Sequence, residues 1–140
     1  MTVKFYDEAE DSLLKFAVIV SKYNGKWVFC KHKQRETSEV PGGHREIGEK
    51  IGETAKRELY EETGAVDFTI KPICVYSVIS DDIDAKETFG MLYFADIKAF
   101  ESELHSEIEK IYLLDDLPSE WTYPLIQPKL IDEIIRRGIC

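Results

Sequence analysis

The 140-residue chain is 44% hydrophobic and 32% charged, which suits one domain with its own core. Its net charge of −9 argues against long-range attraction to a nucleic-acid backbone or an anionic membrane, although metal ions can still bring phosphates to an acidic protein. Cys30, Cys74 and Cys140 are odd in number and widely spaced, against a disulfide framework or a zinc motif, so free thiols in a reducing cytosol are expected.

Residues 1–12 are mixed, with Val3 and Phe5 as candidate strand partners. Residues 13–21, LLKFAVIVS, are rich in β-branched side chains and read as a buried strand. Asn24-Gly25 is a two-residue hairpin signal. Residues 26–32, KWVFCKH, read as the returning strand, with Trp27, Phe29 or Val28 facing inward. A polar loop over 33–38 follows. Lys31, Lys33 and Arg35 put positive charge just before Pro41-Gly42-Gly43. Solubility alone would account for them. Arg35 is nonetheless the candidate phosphate contact, because a guanidinium fork matches phosphate oxygens. His44, a lone histidine, reads as a solvent-facing loop residue.

The next stretch predicts a helix over 51–63, ended by Gly64 as a left-handed cap. Lys50 is a poor N-cap, so the start is less sharply defined. Glu58, Glu61 and Glu62 lie on one side of that helix, where like charges repel. On a helical wheel Glu58 and Glu62 fall about 20° either side of Ile51, and Glu61 about 80° away. The acidic stripe therefore overlaps the core-facing one. Partly buried carboxylates need a cation or they neutralise. Arg57 can offset one; a divalent ion with oxygen ligands would serve the rest.

Residues 67–80 read as a strand interrupted near Pro72, and 80–85 as an acidic, solvated turn carrying Asp81, Asp82 and Asp84. Residues 87–97 read as a strand broken at Gly90, 98–109 as an acidic loop, and 111–114 as a short strand. A closing helix is expected over 124–137, with Arg136 and Arg137 in its last turn. No basic-then-apolar leader and no span-length apolar run is present. There is no internal repeat or linker.

Gly43, Glu49, Arg57, Glu58, Leu59, Glu61, Glu62 and Gly64 stand in register with the Nudix box, G-x5-E-x7-R-E-U-x-E-E-x-G-U, where U is a bulky aliphatic residue. The segment resembles that motif closely, with Ala65 as the one departure. The resemblance implies a single Nudix domain over 1–140: an α/β/α sandwich with a mixed β-sheet between helices. It implies Mg²⁺-dependent attack of water on a pyrophosphate bond, with Mn²⁺ able to substitute. Glu61 and Glu62 match metal-binding carboxylates, and the Gly42 carbonyl a further ligand. Glu58 matches a metal ligand or general base, Arg57 the residue that orients these glutamates, and Glu49 its partner. Glu107 is the candidate acidic residue after the box, with Glu109 and Glu103 as alternatives.

The order of YSVIS, GMLYFADI and DDLPSEW resembles a branch acting on nucleoside triphosphates, including oxidised purines such as 8-oxo-dGTP. Products would be a nucleoside monophosphate and pyrophosphate. ADP-ribose, a dinucleoside polyphosphate, a sugar nucleotide, an RNA 5′ end, or non-catalytic nucleotide binding are the alternatives. Phe5, Tyr76 and Trp121 could stack a base or simply pack the core. A small-molecule nucleotide partner, no nucleic-acid polymer, no membrane, a cytoplasmic location and a monomer or homodimer complete the expectation.

Overall fold

Alternate side chains of one strand pack into opposite layers of this molecule. The computed structural model describes residues 1–102 and 108–140. Among these, strands β1 (Thr2–Tyr6), β2 (Leu14–Tyr23), β3 (Lys26–His32), β4 (Gly42–His44), β5 (Ala65–Ile79), β6 (Glu87–Phe100) and β7 (Ile108–Leu114) form one sheet; the helices are α1 (Ile51–Thr63) and α2 (Gln127–Arg136). The strand order is β1-β5-β6-β2-β3-β7, with β4 also on β2. β2 and β6 are parallel and the other pairs antiparallel, so the sheet is mixed.

Strand β2 is buried on both faces, which explains its near-continuous apolar run. Ala17 and Ile19 pack with Ala55 and Leu59 of α1. Val18 and Val20 pack with Leu130, Ile131 and Ile134 of α2. The result is the expected α/β/α sandwich. On β3, Trp27 and Phe29 face the α2 layer and Val28 the α1 layer, so all three are buried. Asn24 and Gly25 carry φ of 50° and 79°, the sign that a tight hairpin turn requires.

Three expectations about breaks are corrected. β5 runs through Pro72 and absorbs it with a register shift between Pro72 and Cys74. β6 runs unbroken through Gly90 and on to Phe100, into the stretch read as loop. Gly90 is there for space: a Cβ would lie 2.7 Å from Cε1 of Tyr76 on the neighbouring strand. α2 starts at Gln127 rather than 124, with Pro128 in its first turn, where a missing N–H costs nothing. The 81–84 turn is exposed, as expected, and Asp81 pairs with the amino group of Met1. No helix among the described residues is long and apolar enough to cross a membrane.

Glu133 fastens α2 at its C-terminal end. Its carboxylate is 7% exposed and accepts from Arg136 Nε at 2.9 Å and Arg137 Nε at 2.8 Å. Those bonds, Arg136 foremost, hold its pKa down to about 2 from an ordinary 4.5. A depressed carboxyl stabilises the fold above its unfolded value, and that contribution disappears as pH falls toward 2. With Arg136 largely exposed, the interaction should contribute about 1–2 kcal/mol. Glu133→Gln is expected to lower Tm by about 3–7 °C at pH 7. The deficit should shrink as the pH falls toward 2, which thermal melts across the acid range would check.

Candidate functional site

α1 begins where Glu53 accepts the Lys50 N–H at 2.8 Å, half of a capping box that makes up for the poor N-cap. It ends at Gly64, whose φ of 77° allows its N–H to reach the Tyr60 carbonyl at 2.8 Å. The register follows the helical wheel. Side-chain exposure is 10% for Glu62, 14% for Glu58 and 39% for Glu61.

The glycine pair lets the acidic face approach the sheet. β4 pairs with β2 through Val18–Gly42 and Ala17–Gly43. A Cβ on Gly42 would lie 2.6 Å from the Ala17 carbonyl oxygen, and one on Gly43 would lie 2.5 Å from the Glu58 carboxylate. At Gly42 the obstacle is backbone and cannot yield, while at Gly43 the Glu58 carboxylate would have to swing away. Gly42 N–H also donates to Glu62 Oε1 at 2.7 Å.

Arg57 gathers the outer part of the cluster. Its Nε reaches Glu49 Oε2 at 2.7 Å and its Nη2 reaches Glu49 Oε1 at 3.1 Å, a two-pronged contact. Nη1 lies 2.7 Å from Glu58 Oε1 and 3.5 Å from Glu61 Oε2, and Nη2 donates to the His44 carbonyl at 3.0 Å. Arg57, with help from Thr54 and the Glu46 backbone, holds the Glu49 carboxyl down to about 2. Burial outweighs Arg57 at Glu58 and raises that carboxyl. Burial also dominates at Glu62, where the Gly42 N–H counteracts it and Glu58, Glu39 and Glu61 add repulsion; its pKa is pushed up to about 8.

So the structure brings Gly42, Arg57, Glu58, Glu61 and Glu62 together. Arg35 reaches the cluster only indirectly: its Nη1 pairs with Glu39 Oε2 at 2.9 Å, and its guanidinium sits 5.9 Å from the Tyr123 ring centre. Glu103 and Glu107 lie outside the described residues, as does the Glu109 side chain. Sequence reasoning passed over Glu39 and His32. His32 Nε2 lies 2.6 Å from Glu39 Oε1 and 3.1 Å from Glu62 Oε2. His44 is exposed, as expected, but it closes strand β4 rather than lying in a loop, and its ring lies against Phe16, 4.4 Å between centres.

Beside the cluster opens a cleft of about 240 Å³ whose lining includes Phe16, Gly43, Tyr76, Tyr123, Ile126 and Gln127. Gln127 is itself fixed: its Oε1 accepts the Val40 N–H at 2.7 Å. Of the three aromatics named from sequence, Tyr76 lines the cleft from the core. Trp121 packs edge-on against Phe29 at 5.3 Å, and Phe5 packs against the α2-side core.

The donor set fits a hard divalent cation. Glu58 and Glu62 are largely buried carboxylates with raised pKa values that repel one another, and Glu58 shares its one guanidinium with Glu49. A cation there would relieve both burial and mutual repulsion.

The family model described as the NUDIX domain matches residues 13–133. YtkD of Bacillus subtilis (strain 168), named as a candidate 8-oxo-dGTP diphosphatase, is 32% identical over 117 residues, covering 83% of this chain and 72% of that protein. The crystal structure of the Bacillus subtilis pyrophosphohydrolase BsRppH superposes with a TM-score of 0.78 at 25% identity, over 97% of this chain and 91% of that one. A UDP-X diphosphatase shares the fold, with a TM-score of 0.72 at 17% identity over 95% of this chain and 67% of the other.

Proposed function

The chain belongs to the Nudix family, and from that premise we propose that it hydrolyses nucleoside triphosphates, oxidised purine forms such as 8-oxo-dGTP among them, with Mg²⁺ as the working ion. The whole chain serves as one such domain, working in the cytoplasm on small nucleotides rather than polymers, as a monomer or homodimer. The observation that carries the reading is adjacency: Gly42 and Gly43 of β4, against which the acidic face of α1 packs, border an apolar cleft with three aromatic rings and a fixed amide. Such a cleft suits a base, and the acidic face suits cation-screened phosphates. YtkD, similar over most of its length, is named for an activity of this kind.

Glu58, Glu61, Glu62 and the Gly42 carbonyl would hold the ion. Bound there, Mg²⁺ supplies charge neutralisation at phosphate oxygens and a lowered pKa for water. Arg57 fixes the direction of Glu58. Glu58, its carboxyl raised by burial, would take the proton of the attacking water. Water oxygen bonds to phosphorus, the bridging P–O bond breaks, and the pyrophosphate oxygen leaves with its electron pair. Glu107 is proposed as an additional acidic group from the segment that precedes β7, and Arg35 as a phosphate contact once it parts from Glu39.

The test is pyrophosphate and phosphate release, with and without Mg²⁺ or Mn²⁺, across a panel. It should contain 8-oxo-dGTP, normal nucleoside triphosphates, ADP-ribose, a dinucleoside polyphosphate, a sugar nucleotide and a 5′-triphosphate RNA. The expected outcome is metal-dependent pyrophosphate release from triphosphates, with the highest kcat/KM on an oxidised purine. Cleavage confined to another substrate would replace this reading; tight nucleotide binding with no cleavage would make the domain a sensor.

A further inference from the structure

On the inner side of the cluster, away from Arg57, four donors of unlike chemistry meet. Cys30 and His32 lie two residues apart on β3, so both point to the α1 face of the sheet. Glu39 is bridged directly to Cys30, with Cys30 N–H to Glu39 O at 2.9 Å and Glu39 N–H to Cys30 O at 3.0 Å. Glu62 comes down from α1 on the same side. Cys30 is fully buried, Glu39 is 5% exposed and Glu62 8%.

Ligand atoms of Cys30, Glu39 and Glu62 all lie within 4.8 Å of one another. His32 Nε2 is 2.6 Å and 3.1 Å from the two carboxylates. Donors around a tetrahedral zinc sit roughly 3.4 Å apart, so Cys30, Glu39 and Glu62 would close in on an ion, and the His32 ring, already against both carboxylates, would complete the shell by moving toward Cys30. A ring nitrogen carries at most one proton, yet two carboxylate oxygens converge on Nε2. The thiol has only a long 3.5 Å contact with the Glu39 carbonyl.

We propose that Cys30, His32, Glu39 and Glu62 form a second metal site, selective for a borderline-soft divalent ion of the zinc class rather than for Mg²⁺. Sulfur and imidazole ligands favour such ions, while Mg²⁺ prefers an all-oxygen shell with retained water. Binding releases the Cys30 thiol proton to solvent and leaves a thiolate–metal bond. The sequence spacing gave no hint of zinc; the hairpin and the Cys30–Glu39 bridge assemble the set instead. Glu62 stands between this inner site and the outer acidic face, so an ion held inside fixes the position of a carboxylate that the proposed catalysis needs. The inner site does not depend on that catalytic reading.

Co²⁺ as a spectroscopic stand-in for zinc tests the proposal without any substrate. The metal-free protein titrated with Co²⁺ should develop a sulfur-to-cobalt charge-transfer band in the near-ultraviolet and intense visible bands of tetrahedral Co²⁺, saturating at one equivalent. Zn²⁺ should bleach them and millimolar Mg²⁺ should not. Cys30→Ser should abolish the charge-transfer band. His32→Gln, which leaves the buried thiol in place, should keep that band but weaken Co²⁺ binding at least tenfold. Circular dichroism would establish that each variant is folded. Weak octahedral bands alone in the wild type would overturn the site, as would a charge-transfer band that survives in folded Cys30→Ser or unchanged affinity in His32→Gln.

Discussion

Glu62→Gln is expected to lower turnover by roughly 10³-fold while the protein stays folded. Glutamine keeps the shape and the oxygen that accepts the Gly42 N–H at 2.7 Å. It removes the charge that a cation would neutralise. The stability consequence has the opposite sign. Glu62 has a folded pKa near 8 against an ordinary 4.5, mostly through burial. In the metal-free protein the folded state therefore retains a proton that the unfolded chain gives up. That disfavours folding progressively as pH rises from 4.5 toward 8, with the full penalty above 8. Metal-free Glu62→Gln should thus melt at or above the wild-type temperature at pH 9 and differ least near pH 4. Mg²⁺ should raise the wild-type Tm, more at pH 9 than at pH 5, because it binds the charged form of the folded state. The variant should gain little. Melts at both pH values with and without Mg²⁺, beside initial rates, check both halves. Wild-type turnover or an undiminished Mg²⁺ shift in the variant would remove Glu62 from the metal-binding role.

What could be foreseen from the chain was what short-range pattern encodes. The α1 register followed from Ile51, Ala55 and Leu59, and it set the acidic stripe against the core-facing one; the two glutamates nearest Ile51 on the wheel, Glu58 and Glu62, are the more buried in the structure. The β2–β3 hairpin followed from Asn24-Gly25. What could not be foreseen depends on partners far along the chain. Gly90 looks like a strand breaker until Tyr76, 14 positions earlier, is seen to fill the space above it. Pro72 pairs with Tyr93 immediately before the β5–β6 ladder slips register, a slip that no local pattern announces. Glu39 and His32 carry no local signature; a bridge to Cys30 and the docking of α1 make them neighbours of Glu62. Pro124 suggested a helix start, but the chain turns there, and Pro128 takes that role instead.

Arg57→Met should destabilise the fold by about 2–3 kcal/mol and also suppress catalysis. The guanidinium is 23% exposed, and the carboxylates of Glu49 and Glu58 are 13% and 14% exposed. Methionine fills the aliphatic volume but leaves both carboxylates without their cation. Removing one partner of a mostly buried pair costs about 3–5 kcal/mol, and partial exposure of Arg57 brings the figure down. The Glu49 carboxyl, held near 2 by Arg57 above all, should return toward its ordinary 4.5. A depressed carboxyl contributes stability above its unfolded value that vanishes as pH falls to the folded one, so the deficit of Arg57→Met should be largest at neutral pH and narrow toward pH 2. Arg57→Lys separates charge from shape. A lysine restores a positive point charge but cannot span both Glu49 oxygens while also reaching Glu58 and the His44 carbonyl. It should recover part of the lost Tm and much less of the lost turnover, because Glu58 is no longer held in one direction. Full recovery of activity in Arg57→Lys would mean that charge alone suffices, and that the forked contact with Glu49 serves only to pin the 44–49 loop to the helix.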